Sequence, residues 1–369
     1  MPGARGPAGL AGRRGRGRFV RKGGTRVEHI SAFLERHPDL KFVFTGGKGG
    51  VGKTICAAVL AYHFAEQGKR TLLASLNPVH SLTSVFGQDL SGGQVRPVQG
   101  VPNLHAVEVD ASDVVARYRE NIAQRVREFL KYADIPVDAK PFIDIAVTNP
   151  AFEESAMFDK MVDIMLREGQ EYDMVVFDTA AVANAVRLIG LSKIYGLWLQ
   201  RMIESRKEAL SLRVQLSFRK DKVMEEVKKD PMLADLIAMD ERFKAVKKLL
   251  VDPRLTAFFF VTLPLALPIS VVTRFIKMVR AYDIPVGGVL VNGVIRGEEV
   301  ERASEDEYLR NKYEEQAGYL EQIQRELGDL VRAYLPLYKS EVHGLEALKQ
   351  AVDDLFDPDQ HWALAQVTG

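Results

Sequence analysis

The run Gly47-Lys48-Gly49-Gly50-Val51-Gly52-Lys53-Thr54 has the residue types and the spacing to hold a polyphosphate. It completes the pattern G-x-x-x-x-G-K-[ST], in which successive backbone N–H groups converge on an anion. In that chemistry Lys53 reaches the β- and γ-phosphates and the Thr54 hydroxyl ligates Mg²⁺. A carboxylate at the end of a nearby strand must complete the metal shell, and Asp178, closing Val175-Val176-Phe177-Asp178, is the candidate. An aspartate in that position also serves as a helix cap or turn former. The ligands implied by the loop are a nucleotide and Mg²⁺.

Such a loop works only where a strand feeds it and a helix leaves it, since the helix N-terminus supplies the free N–H groups. Lys41-Phe42-Val43-Phe44-Thr45 reads as the strand, and Ile55 to Tyr62 as breaker-free helix. Further continuous apolar runs predict strands at Arg70–Leu76, Leu104–Val109, Asp173–Asp178, Phe258–Leu263 and Gly288–Asn292. Apolar strands alternating with helices imply an α/β fold, a mostly parallel, doubly wound sheet covered on both faces. An amphipathic stretch from Val27 to Leu40 predicts an introductory helix. Helical insertions at about 112–170 and 186–253 exceed what crossovers need and predict a helical subdomain.

Lys48 narrows the reading. With it the loop becomes K-G-G-x-G-K-T, which resembles the deviant Walker A pattern of the MinD/ArsA/Get3 group of P-loop ATPases. The plain alternative for Lys48 is a solvated loop lysine. Ser75-Leu76-Asn77-Pro78-Val79-His80-Ser81-Leu82 resembles the switch I segment of the ArsA/Get3 family, and Phe177-Asp178-Thr179-Ala180 with Arg187-Leu188 its switch II. Leu249 to Pro253, Val291-Asn292, Pro336-Leu337, Glu341-Val342 and Gly344-Leu345-Glu346 match later family segments in order. On these motifs residues 27–369 are identified as an ArsA/Get3-like P-loop NTPase domain.

The resemblance implies that the nucleotide is ATP. It implies a cytoplasmic homodimer, able to lie against a membrane, in which Lys48 reaches the partner's phosphates. It implies that Asn292 recognises adenine and that the loop beginning at Pro336 closes over the base. It also implies a client: relatives form a groove across the dimer for a hydrophobic segment of a membrane protein. Ala185 to Leu216, rich in Leu188, Ile194, Trp198 and Met202, is the candidate here, with ordinary core packing as the alternative. Met157, Met161 and Met165 fall on one helical face and are expected in the core.

The departures are as informative. Asn77 stands where the family has the switch I aspartate that orients the attacking water. An amide has no basic lone pair comparable to a carboxylate, so slow hydrolysis with retained binding is expected, with a non-hydrolysing switch as the alternative. Switch II reads Ala181-Val182-Ala183-Asn184, and Leu265 follows Pro264 where an acidic residue is usual. Cys56 is the only cysteine, so a three-thiolate arsenite site cannot assemble. The family's two-cysteine zinc site is missing too, because Arg310 to Gln316 holds no cysteine. A subunit driving an arsenite-type anion transporter remains the competing class.

Composition adds limits. No apolar run approaches the about 20 residues that a membrane helix needs. A net charge of +1 conceals residues 1–26, a Gly/Arg-rich tail with no acidic residue, expected to be disordered. That tail fits contact with nucleic acid or anionic lipid, a transit segment, or an extension without function. Nucleic acid is not the partner expected of the domain itself.

Overall fold

The computed structural model describes residues 18–20, 26–77, 81–132, 140–141, 144, 150–179, 200–201, 203–208, 211–212, 231–303, 305–360 and 363. Among them the elements run β1 (Arg18–Val20), β2 (Arg26–Glu28), α1 (Ile30–Arg36), β3 (Phe42–Gly47), α2 (Lys53–Glu66), β4 (Thr71–Ser75), α3 (Leu82–Phe86), β5 (Arg96–Pro97) and β6 (Leu104–Glu108). The helices α4 (Ala111–Tyr132) and α5 (Pro150–Leu166) follow, then β7 (Met174–Asp178), α6 (Pro231–Val251), β8 (Thr256–Thr262), α7 (Ala266–Arg280) and β9 (Val286–Val294). The last elements are α8 (Gly297–Arg302), α9 (Glu307–Leu327), β10 (Val331–Pro336) and α10 (Gly344–Phe356).

Eight strands form one sheet in the order β10-β9-β8-β3-β7-β4-β6-β5. Every pairing in it is parallel except β5 with β6. The central strands are buried along their whole length, because both faces are covered. One core lies under α1, α2, α3 and α10, and the other under α5, α6, α7 and α9. Parallel strands place all their C-terminal ends on one edge, where doubly wound sheets bind ligands.

Register at that edge is fixed by three aromatic rings. Phe44 of β3 stacks on Phe177 of β7 at 4.6 Å and on Phe258 of β8 at 4.3 Å, and both are its register partners. Each such pair contributes about 0.5–1.5 kcal/mol beyond its buried area. One residue further on, Thr45 stands opposite Asp178, so the loop and the carboxylate arrive together.

Four features differ from the sequence expectation. The Gly/Arg-rich tail is not wholly without structure, since β1 pairs antiparallel with β2. That pairing consumes the start of the predicted introductory helix, which begins only at Ile30. The third is β10, where Arg332 interrupts the apolar pattern. Its guanidinium is buried but donates to the carbonyls of Gly287, Glu28 and Asp329, which makes an arginine tolerable inside a strand. The fourth is β5, the short antiparallel strand beside β6. The first insertion forms α4 and α5, and α6 belongs to the second. Arg242 of α6 pairs with Asp159 at 2.7 Å and Asp163 at 2.9 Å on α5. Met161 and Met165 are buried, as expected of core. Of the apolar stretch from Ala185 to Leu216 only residues 200–201, 203–208 and 211–212 are described, so Leu188, Ile194, Trp198 and Met202 lie outside, as do Ala181–Asn184 and Arg187–Leu188. No helix among the described residues is long and apolar enough to cross a membrane.

Candidate active site

The phosphate loop leaves β3 and enters α2 through Gly52, whose φ of 88° is the left-handed conformation that glycine adopts without strain. A Cβ there would meet the Asn292 amide at 2.2 Å, and one at Gly47 would meet the Val261 carbonyl at 2.4 Å. Gly47 is therefore required by close approach of the β8 backbone, and Gly52 by its left-handed conformation beside the Asn292 side chain. At Gly49 and Gly50 a Cβ would face open space, the side on which a bound anion has room. No side chain caps the start of α2, so its first N–H groups are available to phosphate oxygens.

Lys53 begins α2 and is nearly buried. Burial holds its ammonium below the usual lysine range, Asp178 opposes that shift and Lys48 adds to it. Its Nζ donates to the Lys48 carbonyl at 3.0 Å, so the loop is braced by the cation that would grip the phosphates. Lys48 itself is half-exposed.

Asp178 is fully buried at the end of β7. Its Oδ2 accepts from the Thr54 hydroxyl at 2.8 Å and from the Ser75 hydroxyl at 3.1 Å. Its Oδ1 is buried with no hydrogen-bond partner. Burial pushes this carboxyl above the usual range, and the bonds from Thr54 and Ser75 and the charge of Lys53 pull it back. An orphaned carboxylate oxygen beside a threonine hydroxyl is a hard-oxygen donor set suited to Mg²⁺. The residues present fit the metal.

Switch I starts from the same point. The Asn77 N–H donates to Ser75 Oγ at 3.4 Å, so Asn77 is one bond removed from the Asp178 pair. Ser81 Oγ lies 3.3 Å from Thr54 Oγ1. Pro78 to His80 fall outside the described residues. The Asn292 Nδ2 donates to the Val51 carbonyl at 3.0 Å, beneath the loop. Pro336 lines a cavity of about 260 Å³ with Arg296, Leu337, Tyr338, Val342 and Gln350, and Asn292 is not among its walls.

Three residues that hold this geometry had no individual role assigned from the sequence. Ser75 is the register partner of Asp178, a relation visible only once β4 and β7 are aligned at their ends. Thr179 donates to the Thr45 carbonyl at 2.8 Å and ties the loop strand to the carboxylate strand. Glu108, buried at the end of β6, accepts from the N–H groups of Leu82 and Thr83 and from the Thr83 hydroxyl at 2.7 Å. It thereby anchors the first turn of α3 beside Thr54. Glu108→Gln leaves one of those donors facing an amide nitrogen and is expected to cost about 1–2 kcal/mol. A urea titration reads this as a lower midpoint at unchanged slope, and an unmoved midpoint would contradict it.

The family model for anion-transporting ATPases matches residues 40–357. The chain belongs to that family. Among its relatives are ATPase GET3C of Arabidopsis thaliana, 31% identical over 347 residues that cover 89% of this chain and 86% of the relative. Another is putative arsenical pump-driving ATPase 2 of Aquifex aeolicus, 28% identical over 311 residues, 84% of this chain and 97% of the relative. ATPase ARSA1 of Chlamydomonas reinhardtii is 27% identical over 337 residues, 85% of this chain but 42% of the relative. Membership in the ArsA/Get3-type family makes the chain an ATP-binding, ATP-hydrolysing P-loop enzyme and agrees with the mostly parallel α/β sheet.

Proposed function

We propose that this ATPase works as a homodimer whose nucleotide state governs capture of a hydrophobic segment of a membrane protein. The observation that carries the nucleotide half is the orphaned Oδ1 of Asp178, held beside Thr54 and close to Lys53. Thr54 and Asp178 would hold magnesium, and Lys53 with the loop N–H groups would hold the phosphates. Magnesium, once bound, neutralises charge on the phosphate oxygens. Asn77 orients water without taking its proton, so turnover is slow while binding is kept.

Dimerisation rests on Lys48 as a charge supplied in trans and on the surface around it. Gly47 and Val261 are register partners, so the residues after β8 emerge on the same edge as the loop. There Leu265 and Leu267 are 42% and 59% exposed, an apolar rim that suits a second copy better than water. The cargo reading follows from the thiol count. Cys56 is fully buried and burial pushes its thiol up to about 12, so it offers no thiolate to a metalloid. With thiolate capture removed, apolar contact is the favoured reading.

The test is capture of a reporter that carries an apolar helix of about 20 residues. Co-purification with the wild type in Mg-ATP, and its loss in Lys53→Ala, is the expected result. Arsenite-stimulated turnover without capture in any nucleotide state would overturn this reading in favour of a transporter subunit.

A further inference from the structure

Asp354 lies on α10, behind the cavity that Pro336 lines, and both oxygens of its carboxylate engage that cavity's walls. Oδ1 pairs with the Arg296 guanidinium, and Oδ2 accepts from the Tyr338 hydroxyl at 2.9 Å. The two partners come from different strand ends. Arg296 follows β9 and caps the start of α8, whereas Tyr338 stands just past the end of β10. A single carboxylate thus ties together the segments that follow β9 and β10, whose strand ends are also joined by the bond from the Leu337 N–H to the Val294 carbonyl at 2.9 Å.

The clamp is shielded and rigidly mounted. Only 17% of the Asp354 side chain and 27% of Arg296 remain accessible, so the pair is screened less than a surface one. The Tyr338 ring packs against the core that contains Cys56, in the first turn after the phosphate loop. Gln360 donates to the Asp354 carbonyl at 2.8 Å, and the same side chain exchanges bonds with both main-chain groups of Tyr334 in β10. The carboxylate, the cavity wall and the sheet edge are therefore joined by one set of bonds.

We propose that Asp354 is a positioning residue for the nucleotide: it holds Arg296 and Tyr338 so that the cavity is preformed for a planar heterocyclic base. This rests on the cavity being the base site of the proposed ATPase. A carboxylate accepts on both oxygens, while an asparagine offers one acceptor, so Asp354→Asn must turn an NH₂ toward one of two donors. Either wall is then released. The base loses a preformed site and the phosphates lose nothing, because no residue of the phosphate loop contacts Asp354 in the bonds above.

The experiment measures steady-state ATP turnover together with competition by magnesium tripolyphosphate, which has no base. Asp354→Asn is expected to raise the KM for ATP about tenfold, with kcat within about twofold and tripolyphosphate inhibition unchanged. Tyr338→Phe removes one hydroxyl, keeps the ring and guards against a folding failure; it is expected to raise KM in the same sense by a smaller factor. Equal weakening of ATP and tripolyphosphate would overturn the proposal and make Asp354 merely structural. Leu337→Asp, which alters the cavity wall directly, separates the remaining cases. If it weakens ATP alone while Asp354→Asn does nothing, the cavity is the base site and the clamp is wrong. If neither variant changes ATP against tripolyphosphate, the base-site reading falls with it.

Discussion

Lys48→Ala is expected to lower ATP turnover about 10³-fold while ATP affinity stays within a few-fold of wild type. The asymmetry follows from what each lysine does. Lys53 is the cation placed to hold the phosphates, and it is braced by the carbonyl of Lys48, which alanine retains. The Lys48 side chain is half-exposed at the edge where the loop meets solvent. Its charge becomes useful when a second copy brings it to a neighbour's phosphates, where charge builds in the transition state. A positioned cation supplied in trans is worth about 10³–10⁵ in phosphoryl transfer, and a lysine, as a point charge without a bidentate fork, belongs at the lower end. Turnover and nucleotide affinity measured on the same preparation check this. Equal losses in both would mean that Lys48 serves binding within its own protomer.

Asn77→Asp is expected to raise kcat by about 10²-fold at little change in KM. Asn77 follows β4 by two residues, and its N–H is bonded to the serine that also donates to Asp178. A carboxylate at this position gains a basic oxygen on a segment already fixed at both ends. Glu108 secures the far end through Leu82 and Thr83. The full general-base factor is about 10²–10⁴, and the loose transition state of phosphoryl transfer uses the smaller part of it. Single-turnover hydrolysis isolates the chemical step from product release. An unchanged single-turnover rate would show that the switch I amide does not limit hydrolysis, and attention would move to the altered switch II.

The phosphate loop and the five sheet strands beyond it were legible because both signals are local. A glycine pattern fixes the loop, and a parallel strand buried on both faces must be a continuous apolar run. Where burial is secured by specific bonds, that signal fails. Arg332 disguises β10, and only Gly287, Glu28 and Asp329, distant in sequence, make it acceptable. The Gly/Arg composition of the N-terminal stretch similarly hid the pairing of β1 with β2. Lys53, Thr54 and Asp178 could be named in advance because their chemistry is carried by type and position. The roles of Ser75, Glu108 and Asp354 could not, since each acts through register or through a neighbour more than a dozen residues away. Asn292 lies where the resemblance places it, and its Nδ2 donates to the Val51 carbonyl, a contact across 241 positions that no local pattern shows.

The most direct measurement mixes two inactive variants, Lys48→Ala and Asp178→Asn, and follows ATP turnover after subunit exchange. In a dimer with lysines acting across the interface, the mixed dimer has one complete site. The Lys48→Ala protomer keeps its metal and phosphate ligands and borrows Lys48 from its partner. With random pairing, an equal mixture recovers about a quarter of wild-type activity, the share of sites so completed in a two-fold symmetric dimer. No recovery at any mixing ratio, with exchange demonstrated, would contradict a trans-acting Lys48 and leave each protomer to hydrolyse ATP alone.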